Sequence, residues 1–106
     1  MKKYLLFESS EDAMKNVGER QKRLVKAGGK SICLLRTQGH LLAIENACPH
    51  RGHPLSEGSL NHLGEIVCAS HAYRFNLTDG RECEMRCDGL KFITIHEEEG
   101  KIYLEF

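Results

Sequence analysis

Two short stretches of the 106-residue chain each combine a thiol with an imidazole: Cys48-Pro49-His50 and, after seventeen intervening residues, Cys68-Ala69-Ser70-His71. The pattern is C-x-H-x17-C-x2-H. Each stretch can project one thiolate and one imidazole from a single loop, and the residues between them suffice to return as a second loop facing the first. Two such loops form a clamp with two sulfur and two nitrogen donors, a set that suits a transition metal. Two Cys and two His also satisfy a structural zinc ion. Zinc sites, however, usually space their ligands as C-x2–4-C with H-x3–5-H, each stretch giving a pair of one type, whereas here each stretch mixes the two. A cysteine–histidine nucleophile would use one pair and leave the other unexplained.

The remaining cysteines bring the total to five, an odd number. The N-terminal Met1-Lys2-Lys3-Tyr4-Leu5-Leu6-Phe7 meets Glu8 too soon to hold a signal-peptide apolar region, so no disulfide framework is expected and the chain reads as cytoplasmic. Cys33 sits inside the apolar run Ile32 to Leu35 and reads as a small core residue. Cys83 and Cys87 stand four apart on a charged segment and read as free thiols rather than a second metal site, with a reversible disulfide as the other reading. His40, His62 and His96 are expected on turns or strand faces. His53, Arg51 and Arg74 flank the two Cys/His stretches and face either solvent or a partner.

Lys plus Arg (15) balances Asp plus Glu (15), and zero net charge argues against a nucleic-acid partner, which a basic excess would attract. The charges are uneven: eight basic and four acidic in residues 1–30, three of each in 31–76, four basic and eight acidic in 77–106. Solvated strand faces explain this, as does a dipolar surface that steers a partner protein. Apolar runs such as Ile32–Leu35 and Leu41–Ile44 fall far short of the roughly 20 residues that span a bilayer, so no membrane partner is expected. A chain of this length buries roughly 60 to 70% of its unfolded surface, enough for one core, and residues 1–106 are expected to form one domain.

The elements that would position the clamp are short strands. Glycines recur about every ten residues, as in strand-and-turn chains. Strands are expected at 31–36, 40–44, 91–96 and 101–106, the last two alternating cleanly and pairing as a hairpin across Glu98-Glu99-Gly100. Thr78-Asp79-Gly80 marks another tight turn, with Asp-Gly supplying positive φ. Between Ser9 and Ala27, Gly18 interrupts a helical pattern; a short helical turn near 10–15, capped by Ser10, and a strand from about 20 to 27 fit best.

The cysteine–histidine spacing resembles the Rieske iron–sulfur family, in which two Cys hold one iron of a [2Fe–2S] centre and two His the other. The similarity extends through Cys48-Pro49-His50-Arg51-Gly52-His53-Pro54-Leu55-Ser56-Glu57-Gly58, like that family's first cluster loop, and His71-Ala72-Tyr73-Arg74-Phe75-Asn76, like the stretch following its second. The resemblance implies an all-β fold of antiparallel sheets carrying a small cluster-binding subdomain at one tip, spanning about 44–76. It also implies one [2Fe–2S] cluster, with Cys48 and Cys68 on the inner iron and His50 and His71 on the outer. The function implied is that of a ferredoxin, monomeric when alone. It would pass single electrons from a partner such as a flavoprotein reductase to a terminal oxygenase or other oxidoreductase, without itself being an enzyme. A Rieske-like small subunit of a larger enzyme, such as a nitrite reductase, is the alternative within the family; a zinc-stabilised binding module is the alternative outside it.

The departures from the family carry expectations of their own. Respiratory members pair an extra cysteine in each loop; His53 and Ser70 stand there, so that disulfide is excluded. Those members also place a serine two residues after the second histidine, where Tyr73 stands, so fewer hydrogen bonds to sulfur and a potential at the low end of the Rieske range, around −150 mV, are expected. Small ferredoxins of the family often flank the second histidine with tryptophan and glycine, here Ser70 and Ala72. Any positive-φ backbone at Ala72 is then strained. The covering segment Arg81–Gly89 lacks the family's proline and carries Cys83 and Cys87 instead.

Overall fold

A computed structural model describes residues 2–70 and 72–106 of the chain. In chain order the elements are β1 (Lys3–Phe7), α1 (Ser10–Asn16), β2 (Lys22–Ala27), β3 (Lys30–Thr37), β4 (His40–Glu45), a 3-10 turn (Leu55–Glu57), β5 (Ser59–Leu60), β6 (Glu65–Val67), β7 (Arg74–Asn76), β8 (Phe92–Glu98) and β9 (Lys101–Glu105). They form a six-stranded antiparallel sheet ordered β1-β9-β8-β4-β3-β2 and a three-stranded antiparallel sheet ordered β5-β6-β7. This is the antiparallel β architecture expected from the sequence.

The strand β3 explains how the two sheets share one molecule. Its residues are buried without interruption from Ile32 to Thr37, where a strand with one wet face would alternate. Ile32 and Leu34 face a lower core closed by Phe7, Ala13 and Val17 from the N-terminal segment and by Ile93, Ile102 and Leu104 from the β8–β9 hairpin. Cys33 and Leu35 face an upper core with Leu55, Ile66 and Phe75, and that core contains Cys48 and Cys68. Cys33 is fully buried as expected, and burial pushes its thiol up to about 11, where it stays protonated.

The β8–β9 hairpin turns through Glu99 and Gly100, both at positive φ, and pairs Glu98 with Lys101 as the alternation implied. Strand β1 then adds to the outer side of β9, continued by paired backbone bonds between Lys2 and Phe106 at 2.9 and 3.0 Å. The helical turn is capped by Ser9 rather than Ser10: the Ser9 hydroxyl accepts from the Asp12 N–H at 3.0 Å. The Ser9 carbonyl also accepts from the Ala13 N–H at 3.1 Å, so the helical bonding already starts at Ser9. The helix ends before Gly18, placing Ala13 and Val17 in the lower core. Among the described residues, no helix is long and apolar enough to cross a membrane.

The small sheet is tied to the first cysteine–histidine loop at Gly58. This residue follows the 3-10 turn, and a Cβ there would meet the backbone carbonyl of Val67, the residue before Cys68. The Gly58→Ala variant is therefore expected to lose about 1–3 kcal/mol of stability, the usual cost of forced overpacking, measured by chemical denaturation. A change within about 0.5 kcal/mol would show that the two segments separate freely.

Candidate metal centre

The first loop leaves β4 and folds back on itself: the Cys48 N–H donates to the His53 carbonyl at 2.8 Å and the Gly52 N–H to the Cys48 carbonyl at 2.6 Å. The second leaves β6 and closes in the same way, the Cys68 N–H donating to the Tyr73 carbonyl at 2.8 Å. In both loops the cysteine amide is bonded to the carbonyl five residues on. The fourth residue after each cysteine is left-handed: Gly52 at φ 75° and Ala72 at φ 54°. Glycine takes that conformation without penalty, whereas an alanine Cβ opposes it, so the strain expected at Ala72 is present.

The closures bring the thiols inward. Cys48 is 3% and Cys68 1% exposed, and both pack in the upper core. The Cys68 thiol is pushed up, first by burial and further by the adjacent Cys48 thiol, while the Ser70 backbone N–H donating to its sulfur pulls it the other way. A thiol held up in this way resists becoming a thiolate unless a cation lies against it, and a metal supplies that cation. The donor chemistry of the pair thus fits an iron centre. Among the described residues no three histidine, cysteine or carboxylate side chains close round one point. His71, expected as the second imidazole ligand, lies outside the described residues.

His50 is partly buried, its ring stacked on Tyr73 with centroids 4.0 Å apart and planes 14° from parallel. The guanidinium carbon of Arg86 stands 3.8 Å from the same Tyr73 centroid. Two flat groups at these distances do not fit on one face, so the phenol ring is sandwiched between them. Arg86 is in turn held by Glu82, whose carboxylate accepts from Arg86 Nε at 3.0 Å, Arg86 Nη2 at 2.9 Å and the backbone N–H groups of Arg86 (2.8 Å) and Glu84 (3.2 Å). The Glu82 side chain is wholly buried. The Arg86 guanidinium beside it, with those backbone donors, holds its carboxyl down to about 2 against the opposing effect of burial.

The covering segment 81–89 is thus built on a buried carboxylate that its charged sequence did not reveal. Cys83 is exposed and donates its thiol to Glu65 on β6 at 3.0 Å, which raises its pKa; Cys87 is half-buried against the upper core. Neither is in a disulfide. The cover is partial, because a cleft of about 190 Å³ lined by Glu45, Ala47, Pro49, Asp88 and Lys91 opens beside Cys48. Arg74 pairs with Glu65 at 3.4 Å while about half of its side chain stays exposed, and Arg51 is exposed. His53 supplies the carbonyl that closes the first loop; its Nε2 is buried, 3.6 Å from Glu57 and without a hydrogen bond. His40 and His62 are exposed, and His96 lies 3.7 Å from Glu98 on a strand face.

Comparison with known proteins places this geometry in context. The sequence matches the Rieske [2Fe–2S] domain family over residues 8–97. It is 43% identical over 61 residues to the carnitine monooxygenase oxygenase subunit of Escherichia coli (strain K12), an alignment covering 53% of this chain and 16% of that subunit. It is 30% identical over 54 residues to the ferredoxin component of the alkene monooxygenase system of Xanthobacter autotrophicus (strain ATCC BAA-1158 / Py2), covering 51% of this chain and 44% of that component. The fold superposes on the ferredoxin of carbazole 1,9a-dioxygenase from Nocardioides aromaticivorans IC177 with a TM-score of 0.75 at 17% identity, over 95% of this chain and 93% of that one.

Two outcomes are expected from this geometry. Ala72→Gly should stabilise the protein by about 1 kcal/mol in chemical denaturation, the left-handed penalty less the glycine entropy cost; a loss of stability would mean that the Ala72 side chain makes a contact outweighing its strain. Glu82, with its folded pKa depressed, contributes stability that is complete above its unfolded value near 4.3 and is lost as pH falls toward about 2. Glu82→Gln should therefore flatten the acid limb of the stability profile between about pH 4 and 2, and an unchanged limb would show that Arg86 does not hold the carboxylate in solution.

Proposed function

This chain belongs to the Rieske [2Fe–2S] domain family, whose members bind one such cluster through Cys and His ligands, and from that premise we propose that it is a one-electron carrier. Cys48 and Cys68 hold the inner iron; His50 and His71 hold the outer iron. The observation that carries this reading is the matched pair of loops, each closed from its cysteine amide to the carbonyl five residues on, with both sulfurs buried against one another.

When bound, the cluster supplies a site that accepts and releases one electron. The residues of the chain do the rest. The buried cysteines would keep the sulfur side of the cluster away from water, and His50, only partly buried and stacked on Tyr73, would bring its side of the cluster toward the surface, where the path for an electron is short. Imidazoles in place of two thiolates reduce the negative charge of the site and favour the reduced state relative to an all-cysteine cluster. With Tyr73 where high-potential members have a hydrogen-bonding serine, the potential falls at the low end of the range, around −150 mV.

The carrier takes electrons from a reductase such as a flavoprotein and delivers them to an oxygenase or another oxidoreductase. Support comes from the ferredoxin component of the alkene monooxygenase system and from a fold matched nearly end to end by a dioxygenase ferredoxin. A Rieske domain fixed within a larger assembly is favoured by one finding, the 43% identity to an oxygenase subunit of which this chain spans 16%. The two readings separate on assembly. A carrier is monomeric alone, and its reduction by a reductase slows as salt screens docking; a fixed component copurifies with its partner through moderate salt.

The test is visible absorption, low-temperature EPR and iron, sulfide and zinc assays on protein purified without oxygen, followed by potentiometry. A red-brown protein with two irons and two sulfides per chain and a potential around −150 mV is expected. One zinc without labile sulfide, also after attempted reconstitution, would overturn the carrier reading; a potential above roughly +100 mV would overturn the low-potential assignment alone.

A further inference from the structure

We propose that Arg86 is a positioning residue for His50: locked by the buried Glu82 carboxylate, its guanidinium presses the Tyr73 ring flat against the imidazole and so fixes the orientation of a ligand to the outer iron. This rests on the reading above, in which His50 is such a ligand.

The three stacked groups come from three separate segments. His50 belongs to the first loop, Tyr73 supplies the carbonyl that closes the second, and Arg86 belongs to the covering segment 81–89. A stack of this kind acts where backbone closure cannot. The bonds from Cys48 and Cys68 fix the course of each loop through the backbone and do not act on the side-chain torsions of the imidazole. A phenol ring at 4.0 Å and 14° restrains those torsions firmly when the phenol is itself held. Arg86 holds it from the outer face at 3.8 Å.

The guanidinium is well suited to the task because its own plane is fixed at two points, Nε to one Glu82 oxygen and Nη2 to the other. Glu82 is in turn fixed by the amides of Glu84 and Arg86. A lysine would keep the charge and one bond to Glu82 but would present no flat face to the ring. Glu84, 3.3 Å from Arg86 and largely exposed, adds a second anion without entering the stack.

A purely local role is the competing explanation, in which Arg86 does no more than anchor the segment 81–89 through Glu82. The two differ in what the ligand histidine experiences. The test uses cluster-loaded wild-type, Arg86→Lys and Tyr73→Leu proteins, each assayed for iron and sulfide. The readouts are the nitrogen couplings of the histidine ligands in the reduced cluster, by pulsed EPR, and the rate of iron release to a ferrous chelator. Both variants are expected to show a broadened spread of nitrogen couplings and iron release about fivefold faster, on the order of the factor that one stacked ring contact carries. Wild-type couplings in a fully loaded Arg86→Lys protein would overturn the proposal whether or not iron release is faster, because an anchor alone moves only the release rate. Should Arg86→Lys fail to fold, Glu82→Gln, which frees the guanidinium while keeping the shape of its partner, gives the same reading on the same couplings. A wild-type protein without iron and sulfide would remove the ligand assignment and this proposal together, whereas a loaded wild type with unaffected variants would remove this proposal alone.

Discussion

The bond from each cysteine amide to the carbonyl five residues on is the constraint on which the rest of the site depends. It turns two unrelated stretches of sequence into two loops of one shape, one carried by the end of β4 and the other by the end of β6. The shape demands a left-handed residue one place before the closure, and the chain supplies glycine in one loop and alanine in the other. The second loop therefore carries a conformational penalty that the first avoids. What holds it closed is the packing on either side, with Cys68 buried beneath and the Tyr73 ring clamped between His50 and Arg86 above.

That packing traces back to β3 and β4, which serve two cores at once. Ile32 and Leu34 pack their half of the large sheet against the N-terminal helix and the β8–β9 half, while Cys33 and Leu35 on the other face support the small sheet and both cysteines. A truncation at Leu34 and one at Leu35 would thus be felt in different places despite the residues being neighbours. Alternation in a β-strand, normally a division between protein and water, here divides a structural core from the floor of the site.

How much of this was legible in the sequence varied with the range of the interactions. Local patterns were readable: the β8–β9 hairpin from its alternation, Cys33 as a core residue from the run around it, and the strain at Ala72 from a single methyl group where glycine was expected. The pairing of β1 with β9 was not, because a strand added at a sheet edge leaves no mark on the sequence near its partner, nearly a hundred residues away. Glu82 was hidden for a different reason. A glutamate in a segment with Arg81, Glu84, Arg86 and Asp88 looks like one more solvated charge, and only the fold shows it wholly buried with four donors turned toward it. The stack of His50, Tyr73 and Arg86 likewise depends on three loops meeting. The ligand spacing and the covering segment were both visible, but the contact between them was not.

The pairing of β1 with β9 also determines how such a unit can be joined to other things. Lys2 and Phe106 are hydrogen-bonded to each other, and β9 and β8 separate that edge from β4, the strand that carries the first loop. The chain therefore enters and leaves through one doorway, two strands across the sheet from the first loop but at the same end of it, because β9 ends beside the start of β8 and β8 starts beside the end of β4. Joining the two ends and reopening the chain at the exposed Glu99-Gly100 turn would carry the point of attachment to the opposite end of the sheet, away from the loops. In engineering terms the natural order of the strands puts plug and cable at the same end, and a permuted chain would separate them.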